Sequence, residues 1–157
     1  MELTLLGTGC PSVDYKRCGS AHLVTTNNTR ILVDCGSGVT QRLNQAKISS
    51  AKIDALFLTH LHSDHVVDLY QLIISSWHSY RIKPWKIYGP KGTKKFVKKI
   101  MATWADERKQ RILYESRSSI KAFDIKVTEF GSTGNYSFKD LKIKYFEVDH
   151  KPVKYAY

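Results

Sequence analysis

The sequence predicts an α/β or α+β domain in which strands and helices intermix in packed layers. Three observations carry this. The first third reads as short strands broken by glycine and asparagine turns. Residues 53–59 (IDALFLT) form a nearly continuous apolar run. Segments of helical periodicity then alternate with further short strand patterns. A chain of 157 residues, 42% hydrophobic and 25% charged, fits one ordinary domain able to bury its own core.

Each element has a local reason. Residues 2–6 form a strand running into Gly7-Thr8-Gly9, a turn in which glycine is expected to supply unusual backbone angles. Residues 21–26 and 29–34 flank Asn27-Asn28 as a hairpin. Gly36-Ser37-Gly38 opens a helix through about residue 46, with Val39, Leu43 and Ala46 on one side. The run 53–59 suits a strand buried on both faces. Residues 66–79 suit a helix carrying Val66, Leu69, Ile73 and Trp77 on one stripe. A short strand at 85–88 closes at Gly89-Pro90. Residues 93–104 then form a helix, capped by Thr93, with Phe96, Val97, Ile100, Met101 and Trp104 toward the core and Lys94, Lys95, Lys98 and Lys99 away from it. Residues 108–114 add a short helical turn, and 123–129 and 141–148 two more strands.

Composition narrows the function. Twenty-five Lys and Arg against fourteen Asp and Glu give a net charge of +11, concentrated in residues 91–99 and 108–117. Such a field favours a polyanion, a nucleic acid or another phosphate-rich substrate, over an uncharged amide or thioester. Cys10, Cys18 and Cys35 are odd in number and lack CxxC spacing, which argues against disulfides and zinc-thiolate sites. No apolar run approaches the ~20 residues of a membrane span, and the start lacks a basic leader. The expectation is a cytoplasmic protein without a membrane partner.

The chemistry centres on Thr59-His60-Leu61-His62-Ser63-Asp64-His65. Three imidazoles and a carboxylate within six residues offer nitrogen and oxygen ligands to zinc or a similar ion. In extended backbone His60 and His62 point the same way, while Asp64 and His65 fall where the chain turns into the next helix. An apolar strand delivers the cluster, so the ligands stand at a strand's carboxyl end, where sites in such sheets collect. Asp34, beside Gly36, reads as an ordinary helix N-cap, and His22 and His78 match no ligand pattern.

The run His60-Leu61-His62-Ser63-Asp64-His65 resembles the HxHxDH signature of the metallo-β-lactamase superfamily. Leu6-Gly7-Thr8-Gly9, Val33-Asp34-Cys35-Gly36 and Tyr88-Gly89-Pro90-Lys91-Gly92-Thr93 resemble turns of its ribonuclease Z-like branch. The resemblance implies an αββα sandwich, of which residues 1–157 would supply the first half and a little more, truncated at the C-terminus before a further aspartate and histidine. It implies one or two Zn2+ ions (Mn2+ or Fe2+ in their place), with His60, His62 and, from Val148-Asp149-His150, His150 on the first and Asp64 and His65 on the second. Asp34 would steady the loop, and Asp64 would also steer water or a proton. The implied activity is a phosphodiesterase or endoribonuclease acting on precursor tRNA, a homodimer at full length. The alternatives are a small-ester hydrolase, such as a cyclic-nucleotide phosphodiesterase or an arylsulfatase-like enzyme, and a non-catalytic, metal-stabilised fragment that holds RNA or a partner.

Overall fold

Alternation along the early strands sorts their side chains onto two faces. In the computed structural model, which describes residues 1–153 and 155–157, β1 (Glu2–Gly7), β2 (Ala21–Thr25) and β3 (Arg30–Val33) form an antiparallel meander. Leu23 and Leu32 sit opposite each other in it, fully buried. Three parallel strands extend the sheet: β4 (Ala55–Phe57), β5 (Trp85–Gly89) and β6 (Ile125–Glu129), in the order β1-β2-β3-β4-β5-β6.

Parallel neighbours need crossovers, and these carry the helices. They are α1 (Val39–Gln45), the single turn α2 (Ser63–Val66), α3 (Leu69–His78), α4 (Thr93–Thr103) and α5 (Ala105–Tyr114). Val39, Leu43, Leu69, Leu72, Ile73 and Val97 close over Leu23, Leu32, Leu56 and Ile87 on one face of the sheet. At roughly 1.5–3 kcal/mol for each fully buried large aliphatic side chain, this layer is the main source of stability. The opposite face carries Ile31, Ala55, Phe57 and Tyr88, covered by Phe138 and Leu141 of a hairpin, β7 (Thr133–Phe138) and β8 (Leu141–Phe146). The hairpin stops short of β1. Leu3 and Leu5 remain 62% and 60% exposed, and Leu3 pairs with Val24 on the hairpin side.

Several local expectations give way to a different physical cause. Gly7 and Gly9 are not in the left-handed region; they are glycines because chain segments touch. A Cβ on Gly7 would collide with the Gly19 carbonyl, and one on Gly9 would lie 2.8 Å from the Cys18 carbonyl. The left-handed glycines are Gly38 and Gly92, which precede α1 and α4. Thr93 does not cap α4: its hydroxyl donates to the Pro90 carbonyl (2.7 Å), and Glu129 Oε1 instead accepts the Gly92 and Lys94 N–H groups. Trp104 does not join the core face but is half exposed, stacked on Tyr70. The helix expected over 66–79 breaks at Asp68, whose N–H donates to the Cys35 carbonyl and whose carboxylate accepts the Gly38 N–H at 2.7 Å. The unexpected strand β7 is polar in sequence; it forms because Phe138 and Tyr136 pack into the inter-sheet core.

Candidate metal centre

The carboxyl ends of β3, β4 and β5 meet at one edge of the sheet, and the histidine loop leaves from β4. Backbone hydrogen bonds fix its path. The Asp34 N–H donates to the Phe57 carbonyl, the Leu58 N–H to the Tyr88 carbonyl, and the Cys35 N–H to the His65 carbonyl at 2.8 Å. Gly36 lies directly beneath, where any Cβ would collide with the Asp64 carbonyl. His150 arrives from the other side. A tight turn joins it to Val153, and the chain then returns to the loop, where the Tyr157 N–H donates to the Thr59 carbonyl at 3.0 Å.

The fold thus brings together histidines 90 residues apart. His60, His62 and His150 each present one ring nitrogen, all within 4.8 Å of one another. The His60 ring centroid lies 4.7 Å from that of His62 and 4.8 Å from that of His150. His60 is buried, His62 half-buried and His150 exposed, so the cluster opens to solvent on one side. His65 packs on His60, 4.1 Å between rings, and its Nε2 lies 3.6 Å from Asp64 Oδ2. Among the described residues, His60, His62 and His150 are the group of three or more that could hold an ion; Asp64 and His65 form an adjoining pair.

Asp34 does not cap α1. Its backbone is left-handed (φ 61°), and its buried carboxylate turns to the loop. It accepts from the Thr59 N–H (2.8 Å), the Thr59 hydroxyl (2.9 Å to Oδ2) and His65 Nδ1 (2.7 Å). These hydrogen bonds determine two tautomers. An ionised carboxylate only accepts, so the single Thr59 hydroxyl proton goes to Asp34, and the Thr59 oxygen must accept from His60 Nδ1, 3.0 Å away. His65 Nδ1 likewise donates. In the neutral ring this leaves each histidine with its lone pair on Nε2. Thr59 carries no ligand pattern in the sequence; its only signal there is its place between an apolar strand and His60.

His60 Nε2 is buried and has no hydrogen-bond partner among the described residues. A buried polar atom without a partner is costly, and here it faces two further imidazoles. A cation accepts that lone pair, so the donor set fits a metal ion. Burial and the neighbouring His65 and His62 hold the His60 imidazole down to about 4, which keeps it neutral, the ligating form. The Asp34 hydrogen bond raises His65, against the opposing effect of burial. His78 lies elsewhere, bonded to the Ile74 carbonyl and Glu115. His22 sits in β2 opposite Val33. Of the cysteines only Cys35 is buried.

The sequence profile of the family described as "Anti-Pycsar protein Apyc1" matches residues 1–157. Proteins named ribonuclease Z from Mycolicibacterium gilvum (strain PYR-GCK) and Mycobacterium bovis (strain BCG / Pasteur 1173P2) are 35% and 34% identical, each over 98% of this chain. The chain spans about half the length of these curated relatives, 54% and 55%. Among solved structures, the short form of human tRNase Z superposes with a TM-score of 0.75 at 24% identity, covering 98% of this chain and 61% of that one. The metallo-β-lactamase fold protein YhfI from Bacillus subtilis gives 0.67 at 21%, covering 96% and 54%. These two likenesses establish the fold. The chain shares the fold of these metallo-β-lactamase-fold structures and belongs to the family described as Anti-Pycsar protein Apyc1.

Proposed function

We propose that the chain is the metal-binding amino-terminal part of a zinc-dependent phosphodiesterase, an endoribonuclease acting on precursor tRNA. The observation that carries this reading is the buried, partnerless Nε2 of His60 within a three-imidazole cluster. His60, His62 and His150 hold the first ion. Asp64 and His65 contribute to a second. Zinc is the best match to the nitrogen donors, with Mn2+ or Fe2+ as substitutes. A bound divalent ion supplies Lewis acidity, lowering the pKa of water and offsetting charge on phosphoryl oxygens.

The chain's own residues do the positioning. Asp34, through Thr59 and His65, fixes which imidazole nitrogens are free. Asp64, half-buried beside His65, takes the role of orienting an attacking water or accepting its proton. The excess of positive charge draws a phosphodiester polyanion toward the open side. Support for RNA comes from the relatives named ribonuclease Z. The working protein is proposed to be a cytoplasmic homodimer. A second reading, hydrolysis of a small phosphodiester such as a cyclic nucleotide, is favoured by one observation: the family profile spanning the whole chain carries a name other than ribonuclease.

Metal content and cleavage of bis-p-nitrophenyl phosphate, compared with His62→Ala, test the mechanism. The variant is expected to lose both. Loss of zinc with cleavage retained removes the mechanism. Cleavage of that ester without any cleavage of a precursor tRNA selects the small-substrate reading. Bound metal with neither activity leaves a binding protein.

A further inference from the structure

Helix α4 carries a run of positive charge that the centre itself does not use. Residues 69–105 contain eight Lys or Arg and no Asp or Glu, and the carboxylate at the start of α4, Glu129 of β6, accepts backbone N–H groups of Gly92 and Lys94. Lys94, Lys95, Lys98 and Lys99 recur on the outward side of α4, all exposed. Among the described residues no carboxylate pairs with them, whereas Lys83 and Lys139 are both tied to Asp54. The helix is about 16 Å long at 1.5 Å per residue. Its first turn adjoins the histidine loop, since a Cβ on Gly92 would meet the Leu61 side chain at 3.5 Å. Between α4 and β6 runs a groove with Lys94, Lys98 and Arg108 on its rim and Val97 and Val127 on its floor.

We propose that this face of α4 is an RNA-backbone track, leading from the edge of the metal centre outward along Lys94, Lys95, Lys98 and Lys99. It deepens the reading of the centre as an RNA phosphodiesterase and rests on it. A strand whose scissile phosphate lies at the cluster has neighbouring phosphates to place, and an unpaired lysine row beginning there neutralises them. The opposite side of α4 is already committed to the core through Val97, with Phe96 and Met101 packed against it. It therefore has no free apolar face to insert into a lipid surface.

The test is equilibrium binding of a fluorescein-labelled RNA hairpin with a single-stranded 3′ tail, across a salt series, with the RNA checked intact on a gel. A variant with glutamine at 94, 95, 98 and 99 is compared with one changed at Lys52, Lys121, Lys142 and Lys144, which are also exposed and carry the same total charge. The α4 variant is expected to bind at least ~10-fold more weakly. Its slope of log K against log salt is expected to fall by about 0.7–0.9 for each phosphate that is no longer neutralised. The comparison variant keeps most of both. Equal effects in the two variants, no effect in either, or an α4 effect on phosphatidylserine vesicles but not on RNA overturns the proposal. Unchanged circular dichroism shows that each variant is folded. The track and the centre fail separately: binding is read without turnover, and wild-type cleavage of bis-p-nitrophenyl phosphate is read without RNA.

Discussion

Asp34→Asn is the most informative small change to the centre. Asparagine keeps the shape and tolerates the left-handed backbone at φ 61°, so the fold is not strained. Its one carbonyl oxygen can still accept the Thr59 N–H now held at 2.8 Å. Its NH2 then faces His65 Nδ1, where the carboxylate accepted a charge-assisted bond at 2.7 Å. His65 must flip its tautomer, which places a proton on Nε2, or leave two donors opposed. Either outcome disturbs the lone pair that His65 offers to the site. Losing one charge-assisted hydrogen bond costs about 1.5–3 kcal/mol. For a chain of this size that corresponds to a fall of roughly 3–12 °C in melting temperature. Zinc affinity is expected to drop about 10–100-fold, the usual consequence of losing the residue that orients a ligand. A chromophoric chelator competition and 15N spectra of the imidazoles measure both effects. Unchanged zinc affinity together with an unchanged His65 tautomer would show that Asp34 does not set the lone pair of His65.

Gly36→Ala drives a Cβ into the Asp64 carbonyl and to 2.6 Å from the Gly19 carbonyl carbon, so the loop must move; weaker metal binding and a destabilisation of about 1–3 kcal/mol in urea unfolding are expected. Arg81 is fully buried, stacked 4.0 Å over Trp85, and donates to the carbonyls of Ala51, Ile53, Lys83 and Pro84. Arg81→Ala leaves these carbonyls without their donor, and a destabilisation of at least about 1–3 kcal/mol is expected by denaturant titration, with metal content per folded molecule unchanged. Burial pushes the Asp54 carboxyl up, but hydrogen bonds from Lys139 and Lys83 outweigh it and bring it down to about 2. Because that value lies below the unfolded one, near 4, its contribution is complete above about pH 4 and disappears as pH falls toward 2. Asp54→Asn is expected to flatten the acid limb of a stability-against-pH curve in that window and to lower stability at pH 7. An acid limb identical to wild type contradicts this.

Much of the centre is legible in the sequence because its densest part is contiguous. Residues 59–65 carry three imidazoles and a carboxylate in one turn, delivered by an apolar strand, and neither feature depends on distant sequence. Asp34 can be placed on a strand end, but whether it caps a helix or braces the loop depends on the pairing of β3 with β4, a tertiary fact. Thr59 and Arg81 are invisible for the same reason. Their roles consist of hydrogen bonds to carboxylates and carbonyls brought near by the fold. The glycines mislead in an instructive way. Turn chemistry suggests positive φ at Gly7 and Gly9, whereas close approach of the 17–19 segment is what excludes a side chain there. Strand β7 lies hidden because its pattern is polar outside and aromatic only at Tyr136 and Phe138, with the partner needed to make it a strand following across a tight turn.

The central claim is that the imidazoles of His60, His62 and His150 converge on one bound cation. Anomalous diffraction above and below the zinc edge, on protein purified without chelator, tests it most directly. A single strong peak is expected, bonded to one nitrogen from each of the three rings, with His60 contributing Nε2. No peak there, with the three rings turned away from one another, would contradict it.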